Sequence, residues 1–257
     1  MVTPELSIVF PAYNEANRLP RTLEQVFDWS SRSGRSVEIL VVDDGSTDAM
    51  LSALEPFSSA HDNLRIVSYS PNRGKGFALR TGIREARGTF VLMSDADLST
   101  PIEDVESLFA RMLEDDLDIC IGSRALPDSE VVVPQAKLRQ LSGKMYNRLL
   151  RAFLLDGFQD TQCGFKLFRR ASILPMLDVL RIDRFGFDVE ILFVARLWGL
   201  SIAEVPVRWY NSADSRVSFT RDATRMFFEI FQIRLNHRRG LYKKPPGLDS
   251  IIHSASA

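Results

Sequence analysis

Short, almost wholly apolar runs recur through the first 125 residues, each followed by a stretch with helical spacing. Leu6-Ser7-Ile8-Val9-Phe10 is the first, halted by Pro11; Val37–Val42, Leu64–Val67, Phe90–Met93 and Leu117–Ile121 follow. Between them, Asn17–Trp29 carries Leu19, Leu23, Val26 and Phe27 on one helical face, and Gly76–Ala86 and Ile102–Leu113 read as further helices. A strand with no polar alternation is buried on both faces, as in a parallel sheet covered by helices. Strands alternating with helices of this length build βαβ units. The expected fold class is therefore α/β, a Rossmann-like three-layer sandwich with a mostly parallel central sheet, followed by C-terminal amphipathic helices. One domain is expected over residues 1–240, since α/β domains commonly run to about 250 residues. The tail, 241–257, rich in Lys, Pro and Gly at its start, is expected to be disordered.

Composition narrows the function. With 257 residues, 32 basic against 33 acidic, the chain has no global attraction to nucleic acid. It is long enough to bury a core without a metal or disulfide. Its two cysteines, Cys120 and Cys163, both in apolar contexts, suit a reducing compartment. The amino terminus lacks a basic region followed by an apolar core, and no run approaches the ~18 apolar residues of a membrane span. A cytoplasmic protein is expected.

In open α/β sheets, ligands bind beyond the carboxyl ends of the strands. Three polar clusters follow such ends: Ala12-Tyr13-Asn14-Glu15, Asp43-Asp44-Gly45-Ser46 and Ser94-Asp95-Ala96-Asp97. Gathered carboxylates repel one another, so a cation or a ligand rich in donors is called for. Asp95 and Asp97, two residues apart after a buried strand, can converge on one divalent ion. Mg²⁺ takes one or two carboxylates together with phosphate oxygens and water. Helix capping is the plainer alternative, because Ser99-Thr100-Pro101 opens the next helix. Asp44 suits either a turn or a carboxylate that accepts hydrogen bonds from a base or ribose. Asn72-Arg73-Gly74-Lys75-Gly76 lacks the spacing of an ATP-type phosphate loop and reads as a glycine-rich turn before a helix. No G-x-G-x-x-G follows the first strand, and His61, His237 and His253 are scattered.

Pro11-Ala12-Tyr13-Asn14-Glu15, Val41-Val42-Asp43-Asp44-Gly45-Ser46, Asp95-Ala96-Asp97 and Gly122-Ser123-Arg124, in that order, resemble a family 2 glycosyltransferase of the GT-A fold. Asp160-Thr161-Gln162-Cys163-Gly164-Phe165-Lys166-Leu167-Phe168 and Phe187-Asp188-Val189-Glu190 resemble the dolichyl-phosphate β-glucosyltransferase branch and, more distantly, dolichyl-phosphate mannose synthase. The resemblance runs from about Leu6 to Arg239.

It implies that Pro11, Tyr13, Glu15, Val42, Asp44 and Ala96 surround a nucleotide sugar, UDP-glucose rather than GDP-mannose. Asp95 and Asp97 would hold Mg²⁺ or Mn²⁺ on its diphosphate. Ser99 stands where mannose synthases carry glutamine, which favours the glucosyl branch. Arg124 and Arg139 match positions that bind the acceptor's lipid phosphate, with Arg216 near a further basic position; a guanidinium fork suits phosphate. Asp188 lies where hydroxyl-using relatives place a general base. A phosphate acceptor is already anionic at neutral pH and needs none, so Asp188 is expected to orient groups instead. Inversion at the sugar carbon, giving a β-linked lipid-phosphate sugar, is implied likewise.

A polyprenyl phosphate acceptor requires contact with a bilayer. Lys137, Lys144, Arg148 and Arg151 fall within about 60° of one another on a helix, beside an apolar stripe of Leu138, Leu141, Met145, Leu149 and Ala152. The segment Arg216–Lys244 holds eight basic residues against two acidic ones, with Met226, Phe227, Phe228, Ile230, Phe231, Ile233 and Leu235 almost all round a helix. Such helices are buried in core, oligomer or lipid, and the basic residues suit an anionic membrane surface. Peripheral association with the cytoplasmic face of a membrane is the expectation. Three rivals stay open: a family 2 enzyme with a sugar hydroxyl acceptor and Asp188 as base, a nucleotidyltransferase that builds the nucleotide sugar, and a non-catalytic peripheral protein of the same fold.

Overall fold

A computed structural model describes residues 3–132, 150, 154–210 and 219–248, the side chains of 219–224 excepted. Strands β1 (Leu6–Ala12), β2 (Val37–Asp43), β3 (Leu64–Ser68), β4 (Phe90–Met93) and β5 (Ile119–Ser123) alternate with helices α1 (Leu19–Ser33), α2 (Met50–Ala60), α3 (Lys75–Glu85) and α4 (Val105–Glu114). After a short strand β6 (Glu130–Val131) come β7 (Lys166–Arg169), α5 (Phe187–Leu197), β8 (Ile202–Pro206), β9 (Arg208–Trp209) and α6 (Phe219–Arg238). The central sheet has the order β3-β2-β1-β4-β7-β5-β8, and β6 pairs with β9 apart from it. All pairings in the large sheet are parallel except those of β7, which runs antiparallel between β4 and β5. Two apolar cores cover its faces. One is built from Val9, Leu40 and Val42 with α3 and α5; the other from Leu6, Ile8 and Phe10 with α1 and α4.

The strands follow the apolar runs closely. β1 continues past Pro11 to Ala12, because it has already outrun β4: its last pair there is Val9 with Met93. Pro11, which lacks an N–H, is in register with Val42 of β2 alone. The helix expected from Ile102 begins as a single 3₁₀ turn, Ile102–Asp104, before α4.

The reversal at β7 organises the rim. Because β7 starts where β4 ends, with Lys166 opposite Met93, Gly164 lies against Asp95 and Cys163 beside Thr100. A Cβ at Gly164 would stand 2.0 Å from Asp95 Oδ2, so any other residue there would displace the Asp95 carboxylate.

The expected disordered tail is corrected over residues 241–248. Tyr242 and Leu248 are buried. The Trp198 indole donates to the Tyr242 carbonyl at 3.0 Å, and the Tyr242 hydroxyl donates to Glu190 at 2.5 Å. An aromatic ring and two satisfied polar groups give this stretch the burial that a Lys-Pro-Gly composition hides; residues 249–257 lie outside the described residues. In α6, Ile230 and Ile233 are buried, whereas Phe227, Phe228, Phe231 and Leu235 are exposed. The apolar girdle read from the sequence thus divides into buried residues on the core and exposed ones.

Helix α3 approaches the sheet closely through Gly82, where a Cβ would meet Val9 Cγ1 at 2.4 Å and Val42 Cγ2 at 2.8 Å. Overpacking of this kind costs about 1–3 kcal/mol. Gly82→Ala should lower unfolding stability by that amount in urea titrations with the m-value unchanged; a neutral result would mean that α3 can shift freely.

Candidate active site

The loops after β1 and β2 are laced together. Asn14, held at a positive φ of 57°, accepts the Thr47 and Asp48 amides on its Oδ1, at 2.7 and 3.2 Å, while its own amide donates to Ser46 Oγ. Tyr13 beside it is 40% exposed. Glu15 takes both arms of Arg18, at 2.7 Å each. Asp44 is buried, and its two oxygens accept the Arg73 and Gly74 amides, the Asn72 side-chain amide and the Tyr69 hydroxyl at 2.7–2.8 Å. Those donors all belong to the loop before α3, so Asp44 holds that loop in place. Val42 is fully buried against α3, one layer beneath the rim. Ala96 is also buried, its carbonyl accepting the Thr22 hydroxyl.

The loop that Asp44 organises delivers Lys75. Its ammonium lies 2.7 Å from Asp95 Oδ1 and 3.5 Å from Asp188 Oδ2. On the other oxygen of Asp188 sits Lys166, at 2.5 Å, which also donates to the Cys163 carbonyl. Lys166 is wholly buried in the middle of the sheet, and Asp188 is 4% exposed in the first turn of α5. A row of alternating charges, Lys166, Asp188, Lys75, Asp95, therefore runs from the core to the rim. Burial alone would raise the pKa of Asp95, but the adjacent Lys75 outweighs it and holds the carboxyl below its ordinary value. Burial would likewise depress Lys75, and the carboxylates of Asp188 and Asp95 reverse that. Burial pushes the Cys163 thiol up to about 11, so this cysteine next to Gly164 is no nucleophile.

Asp97 faces the rim from the same turn. Its Oδ1 accepts the Ser99 amide at 3.0 Å, and its Oδ2 lies 3.8 Å from Arg18 Nη1. The Ser99 bond closes a local turn and caps no helix, since neither the 3₁₀ turn at Ile102 nor α4 has a side-chain cap; it leaves the second oxygen for other partners. Among the described residues no group of three or more acidic, His or Cys side chains could enclose a metal. Two hard carboxylates on an open turn fit an Mg²⁺ or Mn²⁺ ion whose remaining ligands are phosphate oxygens and water.

Arg124 leaves β5 toward the same cleft. Its Nε and Nη2 bind Asp160 at 2.6 and 2.9 Å, and its guanidinium stacks 4.6 Å over the Trp209 ring. Ser94, Asp95, Ser99, Thr100, Gly164, Phe165 and Trp209 line the cleft. The buried Trp209 Nε1 has no hydrogen-bond partner among the described residues. Arg139, Arg216 and the basic helix expected from Lys137 to Arg151 lie outside the described residues, except for Leu150. The chain enters both of those segments at this cleft: the Val132 amide donates to the Trp209 carbonyl, and the Tyr210 amide to that of Ser99.

Asp95, Asp97, Asp188 and Arg124 are thus brought to one rim, with Tyr13 and Glu15 on its flank. Sequence reasoning overlooked Lys75, Lys166, Gly164, Asp160 and Trp209 as parts of the site. A lysine within the apolar run Gly164-Phe165-Lys166-Leu167-Phe168 was the available signal, since a buried cation demands a partner.

The glycosyl transferase family 2 profile matches residues 7–174. Dolichyl-phosphate β-glucosyltransferase of Dictyostelium discoideum is 34% identical, with 93% of this chain and 76% of that protein covered. The protein of that name in Homo sapiens is 32% identical, covering 94% and 78%. In fold, mannosyl-3-phosphoglycerate synthase from Rubrobacter xylanophilus superposes with a TM-score of 0.69 at 21% identity, over 95% of this chain and 78% of that one. Glucosyl-3-phosphoglycerate synthase from Mycobacterium tuberculosis, in complex with Mn²⁺, UDP and glucosyl-3-phosphoglycerate, gives 0.67 at 18%, over 95% and 82%. With its GT-A architecture, its rim of paired aspartates and this similarity along nearly its whole length, the chain belongs to glycosyl transferase family 2.

Proposed function

We propose that this glycosyltransferase moves glucose, in preference to another hexose, from UDP-glucose to a polyprenyl phosphate of the dolichyl type, with inversion and with Mg²⁺ or Mn²⁺. The observation that carries the acceptor class is the state of Asp188. A general base must have an oxygen free to reach the proton that it removes. Both oxygens of Asp188 already hold ammonium groups, from Lys166 and Lys75. An acceptor that arrives as an anion has no proton to surrender, so positioning and stabilisation of the leaving group suffice. The relatives named dolichyl-phosphate β-glucosyltransferases support the same acceptor and sugar. UDP and Mn²⁺ in the Mycobacterium tuberculosis neighbour support the donor and the metal.

The chain's own groups divide the work. Tyr13 presents a ring face to the nucleoside. Asp95 and Asp97 would hold the metal, which when bound neutralises charge on the departing diphosphate. Asp188 keeps Lys75 directed at Asp95. Arg124, fixed by Asp160 and Trp209, sets a positive charge beside the cleft where the acceptor phosphate would enter, with Arg139 and Arg216 assisting by family resemblance.

At the membrane, α6 supplies the contact. Phe227, Phe228, Phe231 and Leu235 are exposed on it, and Arg225, Arg234, Arg238 and Arg239 accompany them in sequence. Apolar residues flanked by basic ones suit the boundary between acyl chains and anionic headgroups on the cytoplasmic face. Among the described residues no helix is long and apolar enough to cross a membrane.

With polyprenyl phosphate and Mg²⁺, radiolabel from UDP-glucose should enter the organic phase faster than label from GDP-mannose. EDTA should abolish the transfer, and Asp97→Ala should reduce it by about a hundredfold or more. Hydrolysis without a lipid product would transfer the assignment to a hydroxyl acceptor. Sedimentation with anionic vesicles should weaken by about tenfold or more in a Phe228→Ser/Phe231→Ser variant, since each buried phenyl ring is worth about 1.5–3 kcal/mol. Undiminished binding would remove α6 from the membrane contact.

A further inference from the structure

The two aspartates assigned to the metal each have a cation of the chain within ion-pair distance. Lys75 Nζ is 2.7 Å from Asp95 Oδ1, and Arg18 Nη1 is 3.8 Å from Asp97 Oδ2. The two contacts differ in kind. Arg18 is committed first to Glu15, which takes both its arms at 2.7 Å, so it is a loose neighbour of Asp97. Lys75 is the close partner of Asp95, whose carboxylate is packed against Gly164. Lys75 is also held from its other side. Asp188 lies 3.5 Å from the same ammonium and is itself fixed by Lys166. The loop bearing Lys75 is pinned by Asp44 through the Arg73 and Gly74 amides.

We infer that Lys75 is a positioning residue that makes divalent-cation binding depend on the nucleoside diphosphate. The inference rests on the donor proposed above. The charges of Asp95 and Asp97 are already opposed by Lys75 and Arg18. A bare divalent ion brings two positive charges into this half-buried pairing and meets the Lys75 ammonium at Asp95, where poor solvation makes the repulsion strong. An ion that arrives with a diphosphate brings compensating negative charge. The phosphate oxygens also offer Lys75 a new acceptor as it releases Asp95, so the ammonium exchanges one oxyanion for another. Asp188 keeps it within reach of both. By linkage, the factor by which the nucleotide strengthens metal binding is the factor by which the metal strengthens nucleotide binding. Lys75 sets that factor.

Titration of Mn²⁺ into the full chain, followed by the free-ion electron paramagnetic resonance signal, reads this without turnover. In the wild type, Mn²⁺ alone should bind about tenfold or more weakly than Mn²⁺ in the presence of UDP. Lys75→Gln should bind Mn²⁺ alone more tightly than the wild type does, and the gain conferred by UDP should shrink toward unity. Arg18→Gln should raise the affinity for Mn²⁺ alone by a smaller factor and keep most of the UDP effect. Thermal unfolding establishes that each variant is folded, and the wild-type comparison stands even if Lys75→Gln does not fold. The inference is overturned if the wild type binds Mn²⁺ equally well with and without UDP, or if folded Lys75→Gln retains the full UDP effect. Failure of the wild type to bind Mn²⁺ with either UDP or GDP would instead sink the donor assignment, and this inference with it.

Discussion

A fully buried lysine in the central sheet has to be neutralised, and Lys166 is neutralised by Asp188 at 2.5 Å. An isolated ammonium in such surroundings would cost several kcal/mol, so the strand and its partner helix are bound to each other. Much of the site follows from that one pairing. Asp188 fixes the N-terminus of α5 over β7, and its second oxygen receives Lys75. Lys75 in turn engages Asp95 on the rim. The geometry of the outermost aspartate is therefore set by a charge in the interior, through ion pairs of 2.5, 3.5 and 2.7 Å.

Glycines make this row possible at its crowded points. Gly164 lets β7 begin directly against Asp95. Gly74 adopts a φ of +110°, and Gly76 lies where a Cβ would be 2.7 Å from the Ile182 carbonyl, so the start of α3 seats on the turn before α5. On the far side of that turn, the Gly186 amide donates to the buried carboxylate of Glu229 on α6 at 2.8 Å. Glu190 braces the same turn through the Arg181 and Ile182 amides. Rigidity of this kind suits the proposed reaction, in which an anionic acceptor would leave the protein little proton chemistry to perform.

The first five parallel strands were legible because each is a nearly continuous apolar run, whereas β8, with Glu204 at its centre, was not; the rim was legible because carboxylates cluster where those runs stop. Asp95 and Asp97 could be singled out as candidate metal ligands from residue type and spacing, with helix capping left open until the order of the motifs was added. Lys75 and Lys166 could not. Their significance lies in Asp188, 113 and 22 residues away in sequence, and local reading has no access to such pairings. β7 was hidden for a related reason: a four-residue strand bounded by Lys166 and Arg169 carries no period, and its direction depends on the two strands that it separates. Helix α2 was obscured by Pro56. The tail from Leu241 to Leu248 looked unstructured by composition, although Tyr242 reaches Glu190 in the core.

On the proposed assignment of roles, the antiparallel course of β7 divides the enzyme's labour along its sequence. Residues 6–99, four parallel strands and the loops at their ends, carry every position assigned to the donor and metal. The stretch between β5 and β7, together with the segments after β8, carries Arg124, Asp160, Trp209, Arg139 and Arg216. Only because β7 reverses does the end of that second stretch return to the first half, at Gly164 against Asp95. On the proposed assignment, the two stretches that carry the acceptor residues can vary while the nucleotide half is left intact, which is the modularity that a scaffold needs to serve many acceptors with one activated sugar.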